Sequence, residues 1–144
     1  MVLVDVNVLL YAFRSDSEHH SEFRHWLEST LADPQPFGLS DQVLASFLRI
    51  VTNPRIYKTP TPLKAALRFA NLVRSQPNCT PVDPGERHWE IFCGLCERAD
   101  ARGNLVPDAY LAALAIENGC ELITEDRDYA RFQGLKWRSP LSRH

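Results

Sequence analysis

Short apolar runs alternate with longer amphipathic segments along the whole chain, and this alternation constrains the fold more than any other feature. The apolar runs predict strands at 2–4, 37–39, 79–82, 122–124 and 135–137. The segments between them predict helices at 8–14, 19–31, 41–51, 63–74, from 83–86 to 99, and from 107 to 118. Short strands separated by helices are typical of a parallel sheet with helices on both faces.

The length and composition indicate a single ordinary globular domain over residues 1–144. Of the 144 residues, 44% are hydrophobic and 24% are charged, and the formal net charge is -2. A chain of this length buries enough surface to form a core without disulfides as staples. Because there is no overall positive charge, a nucleic-acid site would have to be local.

Neither a secretory leader nor a membrane span is predicted, so we expect a cytoplasmic protein. Asp5 interrupts the first apolar run too early for a signal peptide, and no apolar stretch approaches the roughly 18 residues of a membrane helix. Without a secretory context, the cysteines are expected to be reduced thiols: Cys79, Cys93, Cys96 and Cys120.

Cys93 and Cys96 have the spacing of a zinc or redox pair. They also fit one apolar helical stripe with Trp89 and Phe92, and no second pair of this kind follows. A closed zinc site needs four ligands, so we predict that these cysteines pack in the core.

Three aspartates are placed to meet at one edge of the predicted sheet. Asp5 directly follows the first strand, Asp126 follows the strand at 122–124, and Asp108 lies on the apolar face of a helix near its start. Ligands of such folds bind beyond the carboxyl ends of the strands. Carboxylates at close range repel one another and raise each other's pKa, and a bound Mg²⁺ or Mn²⁺ relieves that repulsion.

Each of these aspartates also has a simpler interpretation. Asp5 could cap the helix that follows it, Asp108 could complement a helix dipole, and Asp126 could lie in a solvated turn. Composition and periodicity do not show whether the three converge.

Four longer motifs make the chain resemble a known family. They are VLVDVNVLLYA at the start, FLRIVTNPRIY in the middle, GNLVPDAYLAALAIENG around Asp108, and ITEDRDYARF near the end. In their order, and in the spacing of 18 between Asp108 and Asp126, they are similar to PIN-domain ribonucleases, specifically the VapC-type toxins of bacterial toxin–antitoxin pairs. The resemblance covers essentially the whole chain.

The resemblance implies a three-layer α/β/α sandwich around a mainly parallel sheet. It implies cleavage of RNA phosphodiester bonds with Mg²⁺, or Mn²⁺, as the cofactor. Family members often act on structured RNAs such as tRNA, although nothing in this sequence selects one. The implied protein partners are a cognate VapB-type antitoxin and a second copy of the chain in a homodimer, with no membrane.

The family pattern assigns the catalytic and metal-binding acids to three positions: Asp5, Asp108 and Asp126. Asn7 would hold Asp5 or a water molecule by hydrogen bonding. Thr124 would place a hydroxyl beside the site. Asp128 would orient a water molecule or fix the turn that follows.

One position departs from the family pattern. The family usually has a glutamate in the third helix, within S-x-x-V-x-x-E, and here Ser46 occupies its place. Asp41 is the nearest acid, but five residues turn a helix by about 500°, so Asp41 and Ser46 do not share a face. Two interpretations stay open: Asp41 supplies a fourth acid from the start of the helix, which we favour, or it complements the helix dipole.

These observations predict a metal-dependent endoribonuclease toxin. The missing glutamate leaves open a catalytically weak PIN-like module that only binds RNA or a partner. A receiver-like phosphotransfer domain using Asp5 would need a lysine and hydroxyl arrangement that the sequence lacks. Nine basic residues could hold RNA phosphates or be ordinary solvated charges: Arg14, Arg49, Arg55, Lys58, Arg127, Arg131, Lys136, Arg138 and Arg143.

Overall fold

Five parallel strands form the sheet in the computed structural model, which describes residues 1–141. In chain order they are β1 (Val2–Val4), β2 (Phe37–Leu39), β3 (Cys79–Pro81), β4 (Glu121–Ile123) and β5 (Trp137–Arg138). Their order across the sheet is β3-β2-β1-β4-β5, and each neighbouring pair is parallel. The first strand therefore lies in the middle of the sheet, between β2 and β4.

The strands are connected by α-helices and one short 3-10 helix. The α-helices are α1 (Val6–Phe13), α2 (His20–Ala32), α3 (Asp41–Val51), α4 (Leu63–Arg74), α5 (His88–Ala99) and α6 (Leu105–Glu117). The 3-10 helix spans Arg127–Arg131. Helix α1 contacts α2 and α3, and α3 contacts α4, whereas α6 contacts α5 and the 3-10 helix.

The two groups of helices cover opposite faces of the sheet. The chain moves from β1 to β3 through α1–α4, and it returns from β3 to β4 through α5 and α6. Because crossovers between parallel strands are right-handed, a reversal of direction places the connecting helices on the other face. The predicted α/β/α sandwich is therefore confirmed.

Two helices have the predicted bounds and two begin earlier than predicted. Helices α3 and α4 match the prediction. Helix α1 begins at Val6 because Asp5 itself caps it, and α6 begins at Leu105 rather than at Pro107. Pro107 is tolerated inside the first turn because N–H groups there have no acceptor within the helix.

The core runs through the middle strands. Leu3, Val4, Leu122 and Ile123 are fully buried, as expected for strands covered on both faces. The alanines of α6 are also fully buried, which allows close packing. In the part of the chain that the structure describes, no helix is long and apolar enough to span a membrane.

The buried face of helix α5 differs from the apolar stripe that the sequence predicts. Its buried residues are His88 and Leu95, whereas Trp89 is 68% exposed. Cys93 and Cys96 are half-buried free thiols. The reason is that the His88 ring packs against α6 and takes the inward-facing position. The prediction that both cysteines pack in the core is therefore corrected: Cys96 packs against the core from its edge, and Cys93 is only half-buried.

Candidate metal centre

The predicted acids lie where the strand order reverses. From β1 the chain moves outward to β2 and β3, and it then returns to β4 on the other side of β1. A crevice beyond the carboxyl ends of the strands at such a switch point is the usual ligand site of open α/β sheets. Asp5 follows β1 and Asp126 follows β4, and the backbone N–H of Asp5 donates to the carbonyl of Ile123 at 3.0 Å.

Asp5 is a buried carboxylate held by three donors. It is 5% exposed. Its Oδ1 accepts a hydrogen bond from the backbone N–H of Val6 at 2.7 Å, which caps α1. Its Oδ2 accepts hydrogen bonds from the hydroxyl of Thr124 at 2.7 Å and from Nδ2 of Asn7 at 3.3 Å. Both oxygens are engaged, so the orientation of the carboxylate is fixed.

Asn7 and Thr124 join the start of α1 to the segment that follows β4. Nδ2 of Asn7 also donates to Oγ1 of Thr124 at 3.1 Å, and Oδ1 of Asn7 accepts from the backbone N–H of Glu125 at 3.2 Å. The fully buried Thr124 accepts in turn from the backbone N–H of Asp126 at 3.0 Å. The structure therefore brings Asn7 and Thr124 together with Asp5, and it links them to the backbone of Asp126.

Asp126 begins the 3-10 helix. Its Oδ1 accepts a hydrogen bond from the backbone N–H of Asp128 at 2.9 Å. The side chain of Asp128 is exposed. In the structure, Asp128 thus contributes its backbone to the turn that holds Asp126.

Asp108 joins the group from the first turn of α6. It is half-buried, and its Oδ1 accepts a hydrogen bond from the hydroxyl of Tyr129 at 3.3 Å. Tyr129 is 2% exposed and lies on the 3-10 helix that Asp126 begins. Tyr129 is not among the residues predicted from the sequence, although its place on the same short segment as Asp126 is a usable signal.

Burial and mutual repulsion raise the pKa values of two of these acids. For Asp108, burial is the largest cause, followed by repulsion from Asp126 and Asp5, and its pKa rises to about 6. Burial also raises the pKa of Asp5, against the hydrogen bonds from Thr124 and Val6, and Asp126 adds to the rise. The three carboxylates are therefore close enough to repel one another.

The residues present fit a hard cation that is held partly through water. Within residues 1–141, no three His, Cys, Asp or Glu side chains converge closely enough to hold one ion by themselves. Mg²⁺ does not require such a cage, since it is usually bound through one or two carboxylates and keeps several waters. The donors are all oxygens, which Mg²⁺ and Mn²⁺ prefer. Asp5, Asp108 and Asp126 could hold such an ion in this way.

Asp41 does not join this group. It is exposed at the start of α3, and its Oδ1 lies 2.8 Å from Nε of Arg74. The hydrogen bond from Arg74 lowers the pKa of Asp41, whereas the pKa values of Asp5 and Asp108 are raised. Ser46 is half-buried on α3. This location favours Asp41 as a residue of the helix start rather than as a fourth acid.

Arg14 has a structural role that the sequence did not predict. It forms an ion pair with Asp16 and donates to the carbonyl of Thr59 and the hydroxyl of Thr61. Its guanidinium also lies 4.0 Å from the centroid of the Tyr57 ring. With these contacts, Arg14 holds the loop between α3 and α4 against the end of α1.

The other basic residues are mostly exposed. Arg138 is half-buried, and its Nε lies 2.9 Å from Oε1 of Glu121. Arg143 lies outside the described residues. The exposed basic side chains from the predicted group are Arg49, Arg55, Lys58, Arg127, Arg131 and Lys136.

A family model and several curated relatives match the chain. The model of the PIN domain matches residues 2–135. The chain is 45% identical over 141 residues to ribonuclease VapC43 of Mycobacterium tuberculosis, a match that covers 98% of this chain and 96% of the relative. It is 44% identical over 140 residues to ribonuclease VapC25 of the same organism, covering 97% of this chain and 99% of the relative.

Solved structures share the fold at lower identity. VapBC2 from Rickettsia felis, bound to a promoter DNA fragment, has a TM-score of 0.72 at 18% identity, over 96% of this chain and 98% of that chain. VapC20 of Mycobacterium tuberculosis, a toxin that cleaves the sarcin–ricin loop, has a TM-score of 0.69 at 16% identity, over 94% of this chain and 99% of that chain. At these identities the similarity shows the fold alone.

The chain therefore belongs to the PIN-domain family. Its curated relatives at 44% and 45% identity are VapC ribonucleases, and the match spans nearly the full length of both chains. Within the PIN-domain family, it is a member of the VapC group.

Proposed function

We propose that this protein is a metal-dependent endoribonuclease and the toxin of a toxin–antitoxin pair. The observation that carries the proposal is the placement of Asp5, Asp108 and Asp126 near the switch between β1 and β4, where burial and repulsion from the other two acids raise the pKa of Asp108 to about 6. The relatives VapC43 and VapC25 are named as ribonucleases, which supports RNA as the substrate class.

The three acids are the residues that would hold Mg²⁺ or Mn²⁺. When bound, such a cation neutralises charge on a phosphate and lowers the pKa of a water molecule, which are the two requirements of phosphodiester hydrolysis. Hydrogen bonds within the chain hold two of the acids in place before any ion binds. Thr124 and Asn7 hold Asp5 in one orientation, and the capped 3-10 helix holds Asp126.

Exposed basic side chains near the acids would contact the RNA backbone. Arg127 and Arg131 lie on the 3-10 helix that Asp126 caps, and both are exposed. Contacts of this kind to phosphates position a nucleic acid without reading its sequence. They support binding of an RNA strand across the acidic crevice.

A VapB-type antitoxin is the proposed protein partner. Structures with this fold include VapBC2 of Rickettsia felis and VapBC-1 of Haemophilus influenzae. A groove between α1, α2 and α4 offers an apolar surface, with Phe13, Leu27, Leu31, Phe69 and Leu72 among its lining residues. An antitoxin arginine that reached the acids would inhibit the site, because arginine pairs with carboxylates in a bidentate manner.

A homodimer is also proposed. Large apolar side chains of α4 are exposed in the single chain, and exposed apolar side chains can belong to an interaction surface. They are Leu63, Leu67 and Leu72. Light scattering should give the mass of two chains, and a monomer at all accessible concentrations would refute the dimer.

Cleavage of RNA by the purified protein tests the proposed activity. We expect cleavage with Mg²⁺ or Mn²⁺, loss of cleavage after chelation, and recovery when metal is restored. Asp5→Asn should be inactive. Asp100→Asn is the matched control, since Asp100 is exposed and pairs with Arg102. Cleavage that survives chelation would refute the metal dependence. RNA binding without cleavage would favour the weak PIN-like module that Ser46 leaves open.

A further inference from the structure

Tyr129 brings a buried hydroxyl to one of the three acids. The side chain is 2% exposed, and its hydroxyl lies 3.3 Å from Oδ1 of Asp108. The Tyr129 ring packs against the ring of Phe132, with 5.8 Å between their centroids. A phenylalanine would keep this ring packing. The hydroxyl is therefore the part of the side chain that needs a separate explanation.

The hydroxyl is a donor to a carboxylate on another element of the fold. A tyrosine hydroxyl keeps its proton at neutral pH and can donate it to a carboxylate. Burying a hydroxyl is unfavourable unless it forms a hydrogen bond, and here the partner is the side chain of Asp108 on α6. The bond occupies one carboxylate oxygen and restricts rotation of the Asp108 side chain.

The 3-10 helix connects two of the acids to each other. Asp126 caps this helix by accepting from the backbone N–H of Asp128, and Tyr129 of the same helix donates to Asp108. Asp108 and Asp126 are therefore held relative to one five-residue element, Arg127–Arg131. An acid that could rotate freely would lose that freedom when a cation bound, which would weaken binding.

We propose that Tyr129 is a positioning residue that fixes the carboxylate of Asp108, so that the cation site is formed before the ion binds. The inference rests on the proposed function, since it assumes that Asp108 is a metal-site acid. Groups that hold metal ligands by hydrogen bonds are typically worth about 10–100-fold in metal affinity. A tyrosine that only fills the core would affect the stability of the fold and leave metal affinity unchanged.

Mn²⁺ binding by the wild type and by Tyr129→Phe tests this role. The concentration of free Mn²⁺ is measured by electron paramagnetic resonance during a titration without RNA. We expect Tyr129→Phe to weaken Mn²⁺ binding by about tenfold or more. Tyr110→Phe is the matched control, because Tyr110 lies on the same helix as Asp108 but packs against His88. The Mn²⁺ affinity of this variant should equal that of the wild type. Equal affinities for the wild type and Tyr129→Phe would overturn the proposal.

A double-mutant cycle separates positioning from general destabilisation. If Tyr129 acts through Asp108, then Tyr129→Phe causes no further loss of Mn²⁺ affinity in an Asp108→Asn background. An equal loss in both backgrounds would assign the effect to the fold and overturn the proposal. Failure of the proposed function gives a different result, because the wild type itself would then neither bind Mn²⁺ nor cleave RNA.

Discussion

Asp5 and Asp41 have similar places in the chain but opposite electrostatic environments. Each follows a strand and stands at the start of a helix: Asp5 caps α1 after β1, and Asp41 is the first residue of α3 after β2. Asp5 is buried and held by neutral donors, whereas Asp41 is exposed and paired with Arg74. Accordingly, the pKa of Asp5 is raised and the pKa of Asp41 is lowered.

Within residues 1–141, the carboxylate of Asp5 has no ion-pair partner, whereas the carboxylate of Asp41 is paired with Arg74. An exposed ion pair contributes little to stability and has no need of a further ligand. A buried carboxylate with a raised pKa is stabilised by binding either a proton or a cation. Shifts of this kind concentrate at functional sites. An aspartate at the end of a strand is therefore informative only together with its neighbours.

The largest expected effect is the loss of RNA cleavage when one of the three acids of the candidate site is neutralised. Asp5→Asn, Asp108→Asn and Asp126→Asn should each lower the cleavage rate by about 100-fold or more, since a catalytic cation contributes several kcal/mol. Asp41→Asn should cleave at nearly the wild-type rate because Asp41 is paired with Arg74. Initial rates on one RNA, with circular dichroism to verify folding, measure this. Wild-type rates in any two of the three variants would refute the site.

The next effect is on the metal requirement. Because Ser46 replaces the glutamate of the family pattern, the site has one negative charge fewer than that pattern gives. Activity should therefore rise with Mg²⁺ concentration through the millimolar range, and a lower concentration of Mn²⁺ should give the same activity. Ser46→Glu should move the Mg²⁺ curve to lower concentrations. The curves of the wild type and Asp41→Asn should superimpose. A shift of the Asp41→Asn curve to higher Mg²⁺ would instead identify Asp41 as the fourth acid.

A smaller effect concerns the stability of the metal-free protein. The folded-state pKa of Asp108 is about 6, above the value of about 3.9 for an exposed aspartate. Between these values the folded state binds more protons than the unfolded state, so stability should rise as the pH falls through 6. Asp41, with its lowered pKa, contributes in the opposite direction: its stabilisation is lost on acidification.

Chemical denaturation of the metal-free protein at several pH values measures this effect. We expect the wild type to gain on the order of 1 kcal/mol relative to Asp108→Asn as the pH falls from neutral towards the unfolded-state pKa. Parallel pH profiles for the two proteins would contradict the prediction.

The smallest effect is expected at the exposed ion pair. The side chains of Arg74 and Asp41 are 50% and 65% exposed. Arg74→Ala should therefore change the free energy of unfolding by only a few tenths of a kcal/mol, and less in high salt. RNA cleavage should be unchanged. A loss above about 1 kcal/mol would show that the pair stabilises the fold more than exposed pairs do.

Most of the architecture could be predicted because it depends on local patterns. Helices α3 and α4 show their apolar stripes and caps in the sequence, and their bounds are as predicted. The candidate site is partly predictable for the same reason: a strand that ends just before Asp5 places this residue at the carboxyl edge of the sheet. The predicted start of α6 is wrong because a proline such as Pro107 indicates the first turn of a helix but not its first residue.

The partners of the side chains could not be predicted because they depend on tertiary packing. The pairing of Asp41 joins residues 33 positions apart, and it requires the packing of α3 against α4. The contact between Tyr129 and Asp108 similarly requires α6 to lie beside the 3-10 helix. Arg14 looked available for RNA in the sequence, yet its donors are used within the fold.

The separation in sequence between the two halves of the site has a consequence during protein synthesis. The hydrogen bond from Thr124 to Asp5 joins residues 119 positions apart, because the first strand pairs with the fourth. While the nascent chain leaves the ribosome, Asp5 has no Thr124 hydroxyl to hold it, and Asp126 is made long after Asp5. If the protein cleaves RNA as proposed, it remains inactive on the ribosome that makes it until the chain as far as Asp126 has emerged and folded.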